Sequence, residues 1–226
     1  LWMPKDAARR ALFEDPRRCA AMAGASADLH RNASRLVDLW RSNWLERIGE
    51  PDSGGSRMYP TPQAVIDEWI NRMAFTVENV RSTKLGKPLG DSSGGEPSLG
   101  SLESRPSARS LADARDALAG VHDVWTGDVG GSHPGIVDLV VSDPALVDRI
   151  DTLFEVAADR LAALPEPLEQ TVVIEPELVA WAQEALQRLQ VALQVDLAQA
   201  VGLAGAEAGG GDGHLHGLLL EQRNAQ

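Results

Sequence analysis

Five polar side chains recur at short intervals in one Gly-, Ser- and Pro-rich stretch of the chain: Glu103, Ser104, Ser107, Ser110 and Asp113. The spacing carries carboxylates and hydroxyls from a loop into the start of a helix, where unpaired backbone N–H groups gather. Loops that hold such groups between rigid helices are common places for binding sites. From the pattern alone, a solvated loop that ends in a helix cap is the favoured interpretation, and a binding site for a small polar or anionic molecule is the alternative.

Two interpretations of this cluster stay open. Glu103 offers a fixed carboxylate, and Arg105 and Arg109 add positive charge beside the serines, which suits a ligand. The same groups suit a structural lock, in which a serine caps the helix and Asp113 accepts a hydrogen bond from Ser110 or Arg109. The pattern disfavours a serine hydrolase, because no strand–turn–helix context and no histidine base accompany the serines.

Side chains of the kind that bind metals are sparse. Asp212, His214 and His216 lie together in a Gly-rich tail, where ordering a site is costly, so a solvated tail is the favoured interpretation. The single cysteine, Cys19, excludes an intramolecular disulfide and any Cys-rich zinc or iron–sulfur site. Its place on an apolar helical stripe predicts a small buried hydrophobe and not a reactive thiol. We therefore assign no metal ligand in this chain.

The charge balance excludes some classes of partner. Acidic residues outnumber basic ones 33 to 21 in the 226 residues, and the net charge of −12 repels nucleic acid and anionic lipid surfaces. No run of 18 apolar residues is present, so we expect no membrane-spanning segment, and no signal peptide is visible. The hydrophobic content of 43% is ordinary for a globular domain with a real core.

Five long helical patterns must position the candidate site. Four of these helices are predicted to start where a capping residue or a carboxylate is followed directly by proline. We expect helices over about 16–48, 61–83, 107 or 110–126, 143–164 and 175–201. The segment 171–174 is the one plausible strand and is too short to build a sheet. The fold class is therefore all-α, a bundle of long helices without a significant sheet.

Apolar residues at three- and four-residue spacing predict the buried face of each helix. The first helix should bury Cys19, Met22, Leu29, Ala33, Leu36, Val37, Trp40 and Trp44. The second should bury Val65, Ile66, Trp69, Ile70, Met73, Val77 and Val80, and the third Leu111, Ala114, Leu118, Val121 and Trp125. The fourth should bury Leu146, Val147, Ile150, Phe154, Ala157 and Leu161, and the last Leu178, Val179, Ala182, Leu186, Leu189, Leu193, Leu197 and Val201. We expect one helical domain over 1–204, with a long loop over 84–106, and a Gly-rich loop and tail over 205–226.

Three stretches, in order along the chain, resemble the imelysin-like family. The central one runs from Arg81 to Gly90 and continues with Glu103-Ser104, Ser107, Ser110 and Asp113. Arg18-Cys19 in the first helix resembles the family's Arg-Cys helix. The stretch 196–202, followed by Gly211-Asp212-Gly213, resembles the family's C-terminal helix and its closing Asp-Gly-Asp.

The resemblance implies a periplasmic or cell-envelope protein, as in lipoproteins of this type, built from two facing helical bundles. The family includes iron-regulated envelope proteins and proteins described as insulin-cleaving membrane proteases. We expect a binding or accessory protein linked to uptake of iron or another metal, with a ligand site between helical bundles. Its partners would be a metal ion or small polar ligand and envelope proteins. The alternatives are a metallopeptidase of the imelysin type and a non-catalytic interaction scaffold.

One family feature has no counterpart here. The family is described by a histidine and a glutamate separated by two residues, and this sequence contains no His-x-x-Glu. Enzyme activity is therefore left open, and ligands for iron or another divalent cofactor would lie outside this chain. In that interpretation the domain over 1–204 lacks the family's N-terminal helices.

Overall fold

The computed structural model describes residues 14–44, 48, 59–128 and 133–202. Within these ranges the chain is helical and holds no strand, which confirms the all-α class. The main helices are α1 (Pro16–Leu39), α2 (Pro62–Glu78), α3 (Ser110–Thr126), α4 (Pro144–Ala162), α5 (Leu168–Ile174) and α6 (Pro176–Val191). None of the helices in these ranges is long and apolar enough to cross a membrane. The tail with Asp212, His214 and His216 lies outside the described residues.

Three helices start where a capping side chain precedes a proline. Asp15, Thr61 and Asp143 each accept a hydrogen bond from a backbone N–H in the first turn, over 2.9, 3.2 and 3.1 Å. Proline follows each of them and needs no hydrogen-bond acceptor at that position. These local signals confirm the predicted starts of α1, α2 and α4.

Three helices extend beyond their α-helical part with π-helical hydrogen bonding, and the extension of α1 is Trp40–Trp44. After α2 the chain continues through Asn79–Gly86 and one further turn at Lys87–Leu89. The loop therefore begins at Gly90, and residues 84–89, which we expected to be loop, are helical. After α6 the chain continues through Ala192–Leu197 and Ala198–Ala200. Short 3₁₀ turns at Leu99–Ser101, Arg105–Ser107 and Ile136–Leu139 complete the connections.

The segment 171–174 is not a strand, contrary to our expectation. It forms the last turns of α5, in which Thr171 and Val172 are buried. The Thr171 hydroxyl donates to the Pro165 carbonyl oxygen over 2.7 Å, and α5 packs against α6. Packing in the bundle thus overrides the β preference of a short run of branched residues.

The core lies where α2, α3, α4 and α6 face one another, and the predicted inner faces of these helices point into it. Trp125 is completely buried, and its indole N–H donates to a carboxylate oxygen of Asp151 over 2.6 Å. Trp69 is the exception among the predicted core residues of these four helices, because 45% of it is exposed. Other large side chains with almost no exposed surface are Ile70, Leu85, Leu111, Ile150, Leu161, Leu186, Leu189, Leu193 and Leu197.

The predicted burial of the first helix is wrong. α1 has no buried residue, and Cys19 is exposed, not a small buried hydrophobe. Along the predicted inner face, Met22 is 52% exposed, Leu29 71% and Leu36 56%. The three- and four-residue spacing did mark an apolar stripe, but no described part of the chain covers it. The Trp44 side chain lies outside the described residues.

The end of α3 gives a matched pair of glycine substitutions. Gly127 has a φ of +76°, and an added Cβ would lie 2.0 Å from the His133 carbonyl oxygen. We predict that Gly127→Ala lowers the free energy of unfolding by more than ~1 kcal/mol, since both strain and overlap must be relieved. Urea unfolding followed by circular dichroism measures the loss.

Gly120 in the same helix serves as the control. Open space surrounds its Cβ position, so Gly120→Ala should raise the free energy of unfolding by roughly 0.5–1 kcal/mol through helix propensity alone. Equal effects of the two substitutions would contradict the close approach of the chain at Gly127.

Candidate functional site

The loop from α2 to α3 is held in place by its own backbone. Ser98 donates its N–H to the Pro88 carbonyl oxygen over 2.8 Å, and Gly95 donates to Gly90 over 3.0 Å. The hydroxyl of Ser93 closes the intervening turn by donating to the Glu96 carbonyl oxygen over 2.6 Å. These bonds bring the residues that follow, from Glu103 onward, back against the end of the long α2 helix.

Glu103 is paired with the helix before the loop. Its carboxylate lies 2.5 Å from the Lys84 ammonium, which belongs to the π-helical extension of α2. The Lys84 side chain is 18% exposed and that of Glu103 47%. A pair this accessible to water contributes at most ~1 kcal/mol, so it positions the loop more than it stabilises the fold.

Asp113 is the centre of the second polar group. One of its carboxylate oxygens accepts from the Ser104 hydroxyl, and the other accepts from Arg109 Nε over 3.1 Å. The same guanidinium reaches Asp116 through Nη2, over 2.9 Å. The sequence therefore identified the right acceptor, Asp113, but its serine partner is Ser104 and not Ser110.

The electrostatic surroundings favour the charged form of Asp113. The hydrogen bond from Ser104 lowers the pKa of this carboxyl below its ordinary value of 3.8 and is the largest cause. Partial burial acts in the opposite direction, and the hydrogen bond and charge of Arg109, with the charge of Lys84, lower the pKa further. Asp113 is accordingly an ionised carboxylate that accepts hydrogen bonds from Ser104 and Arg109.

The remaining two predicted residues have different environments. Ser107 is exposed and donates to the Ser104 carbonyl oxygen over 3.0 Å. Ser110 is only 7% exposed, and its hydroxyl has no hydrogen-bond partner among the described residues. The residue before it, Arg109, occupies the cap position of α3 and makes no side-chain cap. The expected capping by Ser107 or Ser110 is therefore wrong.

One cation of this segment is available to a ligand. Arg105 begins a 3₁₀ turn with Ser107, and Ala108 closes that turn with a φ of +55°. Within the described ranges Arg105 has no ion-pair partner, in contrast to Lys84 and Arg109, which are both paired. A guanidinium and an exposed hydroxyl on one turn, just before a helix start, can together bind a small oxyanion.

The described residues do not fit a bare metal ion. In these ranges no three His, Cys, Asp or Glu side chains are grouped as a metal site. The nearest carboxylates, Glu103 and Asp113, are already engaged by Lys84, Ser104 and Arg109. A cation would have to displace these partners, so we derive no step through a metal on these residues.

A polar network between α2 and α6 was not predicted. The Gln183 amide donates to the Arg81 carbonyl oxygen over 3.3 Å and to the Asp91 carboxylate over 2.8 Å. Arg81 in turn donates from Nε to the buried Gln190 over 3.1 Å. The signal was present in the sequence, because Gln183, Gln190 and Gln194 fall at seven- and four-residue spacing on the side of the helix that also carries Leu186 and Leu193.

Arg115 was also missed, and it caps the end of α4. Its guanidinium donates to the carbonyl oxygens of Leu161, Ala162 and Leu164 over 3.1–3.3 Å and pairs with Glu166 over 2.6 Å. A cation at a helix C-terminus satisfies the last carbonyl groups and complements the helix dipole. No spacing in the sequence links Arg115 to a helix end about 50 positions away.

Shallow grooves on the described surface are lined by other residues than the five predicted ones. A groove of about 380 Å³ between α3 and α4 contains His122 against Phe154, with ring centroids 5.1 Å apart. Another, of about 450 Å³ between α2 and α3, contains Trp69 and Gly120. Both are mainly apolar and differ in chemistry from the charged segment over 103–113.

The fold and the segment define a class of protein: an all-α bundle with a polar loop anchored between two of its long helices. Comparison with protein families gives a match to imelysin over residues 1–196, and the chain therefore belongs to the imelysin family.

A curated relative adds to this assignment. Over 155 residues the chain is 29% identical to iron-regulated protein A of Synechococcus elongatus. The matched region covers 64% of this chain and 41% of the relative, so the chain spans less than half of that protein's length. No solved structure matches the chain significantly.

The lowered pKa of Asp113 predicts a pH dependence. Because its pKa is lower in the folded state, the ionised Asp113 carboxylate stabilises the fold fully at pH values above the ordinary pKa of 3.8. This stabilisation is lost as the pH falls from 3.8 through the lowered pKa of the folded state. We expect the difference in unfolding free energy between wild type and Asp113→Asn to shrink as the pH is lowered below about 4.

Chemical unfolding at a series of pH values measures this difference. Ser104→Ala removes the largest cause of the lowered pKa and should reduce the pH-dependent part while keeping the carboxyl. A difference that stays constant between pH 7 and pH 2.5 would rule out this arrangement.

Proposed function

We propose that this chain is part of an iron-related envelope protein that acts by binding and not by catalysis. Family membership supports the proposal, together with the name of the relative, iron-regulated protein A, which ties that protein to iron. The relative is matched over 41% of its length, so an activity of the whole protein is part of the proposal. Envelope proteins are the expected partners, and the periplasm or envelope is the expected location.

The segment from Glu103 to Asp113 is proposed as one wall of the ligand site. The observation that carries this assignment is the contrast between Arg105, unpaired within the described ranges, and the paired cations beside it. Lys84 and Arg109 fix the two ends of the segment, and the turn between them presents Arg105 and Ser107. Ser110 belongs to this wall through its place in the first turn of α3.

The chemistry of this turn favours an anionic ligand. Arg105 and Ser107 offer hydrogen-bond donors, and α3 begins directly after them, with its positive dipole end toward the turn. A carboxylate-bearing chelate of iron has the matching charge, whereas a bare cation would meet Arg105 first. We propose that iron reaches this site as a small anionic complex, between this bundle and a second helical layer.

A scaffold without a small ligand is the second candidate, and one observation favours it. Glu103, Ser104 and Asp113 all have partners within the chain already, as a structural lock requires. In that case the segment only fastens the loop to α2 and α3. No peptidase step is assigned, because the described residues group no histidine with carboxylates at a metal site.

Calorimetric titration separates these candidates. With citrate and ferric citrate as probes and ferrous ion as a third titrant, we expect the citrate-containing probes to bind. Arg105→Ala should raise the dissociation constant at least tenfold, which corresponds to ~1.4 kcal/mol. The control Arg72→Ala removes an exposed arginine paired with Glu68 on α2 and should leave binding unchanged.

Two other outcomes would contradict binding of an anionic ligand at this turn. Loss of unfolding free energy in Glu103→Gln, with no binding of any probe by wild type, would support the scaffold. Binding of ferrous ion alone, unaffected by Arg105→Ala, would overturn the anionic ligand.

A further inference from the structure

The hydroxyl of Ser110 is buried without a hydrogen-bond partner in the part of the chain that the structure describes. Ser110 as a whole is only 7% exposed, and its oxygen is closed off from water. A buried hydroxyl of this kind destabilises the folded state, because it has lost its bonds to water and gained none in return. Such groups are rare in native folds, and each one calls for an explanation.

The hydroxyl lies at an end of α3 where backbone donors are also free. Ser110 is the first residue of this helix of 17 residues, and the Cα–Cβ bonds of a helix tilt toward its N-terminus, so the side chain is directed to that end. The N–H groups of residues 110–112 have no acceptor among the described residues. The first bonded N–H is that of Asp113, which donates to the Arg109 carbonyl oxygen over 2.7 Å.

No side chain within the described ranges serves as the acceptor at this helix start. At α1, α2 and α4 a side chain before the helix accepts from a first-turn N–H, whereas Arg109, at the same position of α3, offers only donors. The Asp113 carboxylate is directed to Ser104 and Arg109 instead. The start of α3 therefore brings backbone donors, a hydroxyl and the positive end of the helix dipole together.

An oxyanion is the group that satisfies this set of donors. A carboxylate or phosphate oxygen accepts from backbone N–H groups and from a hydroxyl at once, and the positive end of a helix stabilises its charge. A bare cation is disfavoured by the same donors. Arg105, which has no ion-pair partner in the described ranges, lies five residues earlier and adds a positive charge.

We propose that the first turn of α3 is an oxyanion subsite, in which the Ser110 hydroxyl and the N–H groups of residues 110–112 bind one carboxylate or phosphate group of the ligand. Arg105 and Ser107 hold the remainder of that ligand. This assignment rests on the proposed ligand wall over 103–113, but it does not require that the ligand contain iron. A ligand without an oxyanion group leaves the Ser110 hydroxyl unpaired, so Ser110 determines specificity.

The turn over 104–109 moves to admit this group, since the Ser110 oxygen is closed off from water in the structure. The turn leads directly into α3 and is closed by the N–H of Arg109, which donates to the Ser104 carbonyl oxygen over 3.2 Å. Ala108 within it has a φ of +55°, which is unfavourable for a residue with a Cβ. Movement of the turn relieves this strain while the ligand satisfies the hydroxyl, so both changes favour the bound state.

Amide NMR of the full chain tests the subsite, with inorganic phosphate and citrate as the titrants. We expect the amide signals of residues 110–112 to shift and to saturate. A shift with citrate alone assigns a carboxylate to the subsite, a shift with inorganic phosphate alone assigns a phosphate group, and a shift with both supports a general oxyanion subsite.

Ser110→Ala is the specific variant, and Ser42→Ala is its matched control. Loss of the Ser110 hydroxyl should raise the dissociation constant of the titrant roughly tenfold, because a hydrogen bond to a charged group is removed. Ser42 donates to the Asp38 carbonyl oxygen over 2.7 Å in the extension of α1, so Ser42→Ala should leave binding unchanged. Ser110→Ala should keep or raise the free energy of unfolding, measured in urea, since its hydroxyl has no partner to lose.

Either of two results would overturn the subsite. One is that neither titrant shifts the amide signals of residues 110–112. The other is equal binding by wild type and Ser110→Ala, and a lower free energy of unfolding in that variant would then show that a buried water satisfies the hydroxyl.

Ferric citrate separates this inference from the proposed function. Binding of ferric citrate that Arg105→Ala weakens and Ser110→Ala leaves unchanged would retain the proposed ligand and overturn the subsite. Phosphate binding that Ser110→Ala weakens, in a protein that binds no ferric citrate, would retain the subsite and overturn the iron chelate.

Discussion

Burial of the apolar face of α6 is the interaction on which the rest of the bundle depends. α6 and its π-helical extension pack against α2, α4 and α5, and Leu186, Leu189 and Leu193 have no exposed surface. Apolar burial on this scale supplies most of the free energy of folding, while the surface ion pairs contribute little. The loop over 90–109 contributes Leu102 to the core, with Leu99 packed against it, and is otherwise polar and positioned by the two helices that the core holds.

The candidate segment inherits its geometry from this arrangement. Lys84 belongs to the extension of α2, Asp113 belongs to α3, and both helices are fixed by the core. Glu103 and Ser104 are attached to these two points by an ion pair and a hydrogen bond. A turn fastened at both ends loses little further entropy on binding a ligand, which is the advantage of building a site between rigid helices.

Local sequence signals predicted most of the fold. Asp15-Pro16, Thr61-Pro62 and Asp143-Pro144 start helices for reasons contained within one turn, and apolar spacing identified the inner faces of α3, α4 and α6. The helical run to Leu89 was missed, because Gly86 and Pro88 resemble helix breakers and tolerate the π-helical path only in this setting. Periodicity showed the apolar face of α1 but not what covers it, so the burial of Cys19 was wrong. Within the candidate site, spacing gave Ser110 and Arg109 as the alternative donors to Asp113, and Arg109 is the one that pairs with it. The contact between Ser104 and Asp113 depends on the path of the loop.

The contact between Gln183 and the Arg81 carbonyl has a mechanical consequence. A π-helical stretch spaces its carbonyl groups differently from an α-helix. Here the Gln183 side chain of α6 donates a hydrogen bond to one of these carbonyl groups, that of Arg81. Sliding α6 along α2 by one turn would break that contact together with the bonds to Asp91 and Gln190. Hydrogen bonds between the two longest helices of the core therefore oppose sliding along their axes, and Gln183 ties the loop at Asp91 to α6.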